Sequence, residues 1–204
     1  MKRMKALKRP QSKIGWIAVL AMLIAAAAGG WYKAAGRQAE TVAIADVALA
    51  PHDTVDDLMA AADLVVAAVP TGSKRNVVKG RWRDPDGWTL TEIRVEKIIK
   101  ADADPPSGME AEEGGRIFMS EPYFVATRWF PPRKVKIIYE DYTELKKGMR
   151  YVLFLKWSPR SATYGVYALH YGKYNIDGLD AEESGLSSER FRELKKEMQQ
   201  TFAS

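Results

Sequence analysis

Tyr151-Val-Leu-Phe-Leu-Lys-Trp157, YVLFLKW, is a strongly hydrophobic run, six of its seven residues aliphatic or aromatic. It follows a turn signal over Tyr142–Gly148 and reads as a strand at the centre of a sheet. The neighbouring segments are short strands of the same scale. Thr163–Leu169 and Lys173–Ile176 follow, joined through Tyr171-Gly172, and Arg116–Ser120 and Val135–Tyr139 precede. Leu64–Val69, LVVAAV, is a β-branched run closed by Pro70-Thr-Gly72, which predicts a buried strand with a turn behind it. Val77–Trp82 and Trp88–Ile99 flank Asp84-Pro-Asp-Gly87. There proline presets one dihedral and glycine supplies the left-handed one, so the two segments read as a hairpin. In the second, Thr91, Ile93 and Val95 alternate with Glu92, Arg94 and Glu96, the pattern of a strand with one wet face. Six or seven short strands with close turns predict a mainly β domain, a small antiparallel OB-like barrel over residues 54–178.

Two helices border this set. Thr54-Val-Asp-Asp57 has the form of a capping box, and Val55, Leu58, Met59 and Ala62 fall at helical spacing, predicting a short helix that ends near Asp63. Residues 179–204 carry an amphipathic C-terminal helix. With Ser187 as N-cap, Leu186 and Phe191 take the positions of a hydrophobic staple, and Phe191, Leu194, Met198 and Phe202 form one apolar stripe among charged residues. The stripe has two uses, packing on the barrel or docking to a partner or membrane surface.

Ahead of the domain lies Ile14–Tyr32, nineteen residues without a formal charge, preceded by a basic leader over residues 1–13. In helix that run is about 28 Å long, close to the roughly 30 Å of bilayer hydrocarbon. Lys2, Arg3, Lys5, Lys8, Arg9 and Lys13 precede it with no acid. The positive-inside bias therefore keeps the N-terminus cytoplasmic and sends the rest across. The segment reads as a single transmembrane signal anchor; Ala26-Ala27-Ala28 also fits a cleavable signal peptide, which would make a secreted protein. Residues 33–53 are Ala-rich and read as a linker.

The leader also explains the charge. Of 31 Lys and Arg, eight fall within residues 1–38, so the remainder holds 23 basic against 26 acidic residues, a net −3. A nucleic-acid binder clusters its basic excess on the folded domain. Here the excess belongs to the leader, and nucleic acid is not an expected partner. There is no cysteine, which excludes disulfides, thiolate metal sites and a thiol nucleophile. An extracytoplasmic protein without disulfides suits a bacterial envelope.

Ala62-Asp-Leu-Val-Val66, Thr91-x-Ile93-x-Val95-x-x-Ile98-Ile99-Lys100, Leu145-x-x-Gly148-x-x-Tyr151-Val-Leu-Phe-Leu155 and Gly172-x-Tyr174-x-Ile176 together resemble a class of uncharacterised secreted or membrane-anchored bacterial proteins. More distantly the pattern is similar to the netrin-module and metalloproteinase-inhibitor group. That resemblance, over roughly residues 60–177, implies a five-stranded OB-type barrel. The inhibitor members act through a cysteine-led N-terminal edge, which this chain lacks, so it implies no protease inhibition here.

No catalytic constellation stands out. There is no G-x-S-x-G, no phosphate-cradling G-x-x-x-x-G-K-S/T and no G-x-G-x-x-G. The only histidines are His52 and His170, too few for a metal site of three or four converging ligands. Asn175-Ile-Asp-Gly178 with Asp180 and Glu182 faintly resembles a calcium loop, but Lys173 and Ser184 stand at its two strongest ligand positions, so a turn is expected. No cofactor and no metal are expected. Paired Asp and Glu side chains could serve an envelope hydrolase, though sequence does not bring any two together. The best site candidate is Glu121–Arg133, read as a loop carrying Tyr123, Phe124, Arg128, Trp129 and Phe130. Aromatic faces beside an arginine stack on sugars and planar groups; the alternative is that these rings cap the barrel as core. Lys79-Gly-Arg81-Trp82-Arg83 reads as the solvated side of the hairpin. The reading that results is a non-enzymatic, membrane-anchored extracytoplasmic binding module whose partner is an envelope protein or cell-wall polymer.

Overall fold

The apolar run that reads as a central strand is β7, Tyr151–Ser158, and it has partners along both edges. Along one it pairs antiparallel with β2 (Leu64–Arg81), from Leu64↔Leu155 to Ala68↔Tyr151. Along the other it pairs with β9 (Lys173–Asn175) in its first half and β8 (Thr163–Val166) in its second. The computed structural model describes residues 40–44, 54–81, 84–102, 110–129, 132–140, 142–186 and 188–202. The expected span at 14–32, the leader, His52, Trp82, Arg83, Phe130 and Ser187 lie outside them.

Alternation explains why residues 151–155 are all apolar. Val152 and Phe154 face one cluster, with Val55, Leu58, Val65, Tyr174, Phe191, Leu194 and Met198. Tyr151, Leu153 and Leu155 face another, with Val66, Ile93, Val95, Met119, Leu145 and Tyr164. Both faces are covered, so no position favours a polar residue. Each fully buried Leu or Phe contributes roughly 1.5–3 kcal/mol of transfer free energy.

The second cluster sits inside a closed circuit of pairings. β2 pairs β3 (Asp84–Ala101), β3 pairs β4 (Arg116–Glu121), β4 pairs β8, β8 pairs β7, and β7 returns to β2. Four of these five ladders are antiparallel, and β4 with β8 is parallel. The first cluster is roofed by helices. In α1 (Val55–Ala61) the expected capping box is present: the Asp57 amide donates to Thr54 Oγ1 at 3.1 Å and the Thr54 amide to Asp57 Oδ2 at 3.0 Å. After a single turn, α2 (Ala181–Ser184), comes the tail helix α3 (Glu189–Phe202). Its stripe packs on this roofed cluster. Its cap is Ser188, one residue later than expected, whose Oγ accepts from the Phe191 amide at 3.3 Å.

Four expectations are corrected. Pro70-Thr-Gly72 does not end a strand; Pro70 pairs with Ile93 and Lys74 with Thr91, so residues 71–73 bulge out and β2 continues. Gly72 has φ +91°, the conformation such a bulge favours, and proline's missing donor is tolerated there. The bulge turns the far halves of β2 and β3 into an arm beyond the circuit. Asp84-Pro-Asp-Gly87 is not the arm's turn either, because the ladder continues to Arg81↔Asp84. Gly87 is needed for close approach: a Cβ there would overlap the Val77 carbonyl and crowd the Phe124 ring. Glu121–Arg133 is not a loop. It contains β5 (Tyr123–Trp129), which pairs with β6 (Pro132–Tyr139) down to Trp129↔Pro132. Finally, the expected linker contains β1 (Glu40–Ile44), which lies parallel on β6.

The sheet β1-β6-β5 lies beside the arm, with Phe124, Ala126, Val135 and Ile137 at its buried centre. Asn76 ties β2 to β5: its Nδ2 donates to the Val125 carbonyl at 2.8 Å, and the Val125 amide donates to its Oδ1 at 2.7 Å. A side-chain amide thus replaces a rung of backbone ladder.

Candidate functional site

The step from β4 into β5 carries a buried polar network. Glu121, with no exposed surface, accepts from the Tyr142 hydroxyl at 2.9 Å, the Leu145 amide at 2.7 Å and Thr91 Oγ1. Lys74 Nζ lies 3.4 Å from it and 2.9 Å from Glu144, which also accepts from Tyr123 and Lys136. Burial acts to raise the Glu144 carboxyl, yet Lys74, Lys136 and the Tyr123 hydroxyl hold it down at about 2. Burial and the nearby carboxylates push Tyr123 well up. A second knot surrounds Lys173, which is fully buried, donates to Thr143 Oγ1 at 2.7 Å and lies 3.8 Å from Asp180 and 3.7 Å from Glu183. Burial lowers this lysine against the pull of its acidic neighbours. Lys195 of α3 reaches Glu183 at 2.9 Å and pins the tail helix to the knot. These are joints between elements, with their charges matched internally.

The aromatic residues expected to bind ligand are distributed differently. Phe124 has no exposed surface and Tyr123 only 4 %; both serve the core, the second use considered for these rings. Arg128 and Trp129 occupy the last two positions of β5, opposite Arg133 and Pro132. Phe130 is outside the described residues.

A different set of aromatics lines an open cleft of about 360 Å³ where the arm leaves the circuit. Trp88 comes from β3, Ser120 to Pro122 from the end of β4, Lys156 to Pro159 from β7, and Gly165 to Ala168 from β8 and the turn after it. Ser120 pairs with Gly165 across the parallel ladder, and a Cβ on Gly165 would press on the Ser120 hydroxyl. That glycine keeps the wall low. Trp157 meets Tyr164 edge to face with ring centres 5.7 Å apart. Lys156 Nζ stands 5.2 Å from the Tyr167 ring centre and donates to the Ala61 carbonyl at 2.8 Å. Behind Trp88, Lys79 Nζ lies 4.6 Å from the ring centre and the Arg160 guanidinium 5.8 Å from it, with Arg160 also paired to Asp86. Lys79, one of the basic hairpin residues, therefore braces a wall of this cleft.

Trp88 is 8 % exposed, and among the described residues its buried indole Nε1 has no hydrogen-bond partner. An unmade indole bond in a buried site costs on the order of 1–3 kcal/mol. The cleft therefore offers ring faces, a hydroxyl and a half-exposed ammonium, with the indole Nε1 of Trp88 buried in its wall. Pairing a largely apolar body with a few placed polar groups is how small-ligand sites are built.

The other candidates lie elsewhere. His170 packs its ring against Tyr171 and Phe191 over α3. The calcium-like segment is a hydrogen-bonded turn: Asp177 accepts from the Arg150 and Leu179 amides, and Asp180 from the Tyr151 hydroxyl and the Glu183 amide. Among the described residues no group of three or more His, Asp or Glu side chains is placed to hold a metal.

Sequence reasoning missed Trp88, Trp157, Tyr167, Ser120 and Lys156. The available signal was the tryptophans at the ends of apolar strands, Trp88 at the head of one and Trp157 at the foot of another. Their convergence depends on pairing between distant segments. Compared with known protein families, curated proteins and solved structures, the chain finds no match.

Proposed function

We propose that residues 40 onward form a non-enzymatic binding module, an OB-like barrel held on the outer face of a bacterial membrane by Ile14–Tyr32, and that its ligand site is the Trp88–Trp157 cleft. Supporting the barrel reading is the circuit of five strands with one parallel contact, alongside the resemblance in its strand cores. Supporting the anchor is the uncharged nineteen-residue run behind six basic residues. The observation that carries the site is the aromatic-walled cleft with Trp88 in one wall, its buried indole Nε1 lacking a hydrogen-bond partner among the described residues. It calls for a ring-shaped ligand bearing an acceptor, such as an N-acetylated amino sugar of a cell-wall polymer. There the ring stacks on an aromatic face, and the acetamide oxygen accepts from the indole once a shift of the Trp88 ring uncovers its buried Nε1.

A carboxylate hydrolase is the competing reading. It needs one carboxyl kept protonated to act as acid. Glu144, held at about 2, has the opposite tuning, and Glu121 is occupied by three donors.

The test is binding of soluble N-acetylated amino-sugar oligomers to the full-length protein in detergent. Trp88→Phe keeps the ring and removes the donor, so its affinity should fall about fivefold or more, the loss of about 1 kcal/mol expected for one hydrogen bond. Binding equal to wild type would remove Trp88 from the site.

A further inference from the structure

The knot around Lys173 holds reactive groups that its role as a joint leaves unused. Lys173 on β9 and Glu183 on α2 have no exposed surface, and Asp180, just ahead of α2, has 1 %. Lys173 Nζ sits between the Tyr142 and Tyr151 rings, 5.3 and 5.4 Å from their centres, and donates to Thr143 Oγ1 at 2.7 Å. It lies 3.8 Å from Asp180 Oδ2 and 3.7 Å from Glu183 Oε2. The two carboxylates are held differently. Both oxygens of Asp180 accept, Oδ2 from the Tyr151 hydroxyl at 2.9 Å and Oδ1 from the Glu183 amide at 3.2 Å. Glu183 is held through Oε1 alone, by the Asn175 amide at 2.8 Å and Lys195 at 2.9 Å, and its buried Oε2 has no hydrogen-bond partner among the described residues.

Each of these features meets a requirement of amide formation. Burial disfavours the ammonium and so favours the neutral amine, which is the nucleophile. The two donors on Asp180 polarise its carboxyl carbon and stabilise negative charge on a tetrahedral intermediate. Glu183 Oε2 is a buried acceptor for the protons that the amine must lose. The surrounding rings exclude bulk water, the reactant that hydrolysis of the product requires. Charge matching also survives the reaction. Lys173 and Lys195 face Asp180 and Glu183 before it, and Lys195 faces Glu183 after it, so no buried charge is left uncompensated.

We propose that Lys173 and Asp180 condense into an intramolecular amide, a covalent clasp between β9 and the turn into α2, with Glu183 carrying the protons. The Nζ–Cγ bond forms and one Cγ–O bond of Asp180 breaks. Glu183 Oε2 takes a first proton from the Lys173 ammonium and passes it to the Asp180 carboxylate, and the neutral amine attacks Cγ. A second proton travels from nitrogen to the departing hydroxyl by the same route, and water leaves. One ammonium and one carboxylate thus become one amide and one water, with no oxidant or co-reactant, and Glu183 ends ionised as it began. The amide keeps one N–H, which is left to donate to Thr143 Oγ1. The clasp is independent of both the Trp88 cleft and the membrane anchor.

Trypsin reads the bond locally, because Arg160, Lys173 and Arg190 are its consecutive sites in this part of the chain. The full-length protein is purified folded, then denatured, digested and analysed by mass spectrometry. The expected result is an uncut Lys173 and a single peptide, 161–190, lighter than its sequence by the mass of one water and giving no backbone fragment ions between 173 and 180. Separate peptides 161–173 and 174–190 of full sequence mass overturn the proposal. So does a water loss confined to 174–190 with normal cleavage at Lys173, the mark of a cyclic imide at Asp177-Gly178. Glu183→Gln keeps Oε1 as the acceptor of the Asn175 amide and removes the proton carrier. Its folded fraction should give the two separate peptides, and a linked peptide there would strike Glu183 from the reaction. The unaltered sequence decides the bond by itself.

Discussion

Glu144 is a residue at which charge and fold are directly coupled. Its carboxylate joins Lys74 from β2, Lys136 from β6 and Tyr123 from β5, so ionisation of one group ties the arm to the second sheet. Its folded value is depressed from 4.5 to about 2. A carboxyl depressed on folding adds stability that is complete above its unfolded value and is lost as pH falls through the folded one. Stability should therefore be insensitive to Glu144 above about pH 5 and decline between about 4.5 and 2. Urea unfolding of Glu144→Gln should give a flatter profile than the wild type in that window, and parallel profiles would show that the carboxylate does not act this way. Phe124 and Trp88 show what single residues leave unsaid. Phe124 lies in a segment that reads as a loop yet is fully buried, and Gly87 lets β3 pass close beneath its ring. Trp88 follows a turn-like motif yet walls a cleft. Neither environment is a local property.

Among the elements, those governed by local rules were legible. α1 is set by a capping box within four residues, and β7 by an apolar run whose two covered faces leave no alternation. The tail helix was legible as a stripe, and its partner surface is now visible. Phe191 stacks on Tyr174 with ring centres 5.3 Å apart and is 1 % exposed. Phe191→Ala should cost about 3–5 kcal/mol, measured as a shift in urea midpoint, on the precedent of large-to-small core changes. A change near zero would mean that α3 leaves the β domain in solution and serves for docking instead. The illegible elements depend on distant partners. Pro70-Thr-Gly72 has the residues of a turn and of a bulge alike, and the opposing strand decides between them. Glu40–Ile44 becomes a strand only because β6 offers it an edge.

For the whole molecule, the strand pattern announced a mainly β domain, and the pairings close it into a circuit with an arm and a second sheet at its side. The cleft exists only at that level, since β3, β4, β7 and β8 each bring a few residues to one opening. No motif could have encoded it. The proposed ligand site is this opening, with the Trp88 indole in its wall. The chain has six tryptophans, and labelling their indole nitrogens with ¹⁵N gives each a separate N–H resonance, with Trp88 assigned through Trp88→Phe. Titrating N-acetylated amino-sugar oligomers into the full-length protein should move the Trp88 resonance downfield, as its N–H acquires an acceptor, while that of Trp129 stays in place. A Trp88 resonance that holds still at saturating ligand, or a Trp129 resonance that moves instead, would contradict the account.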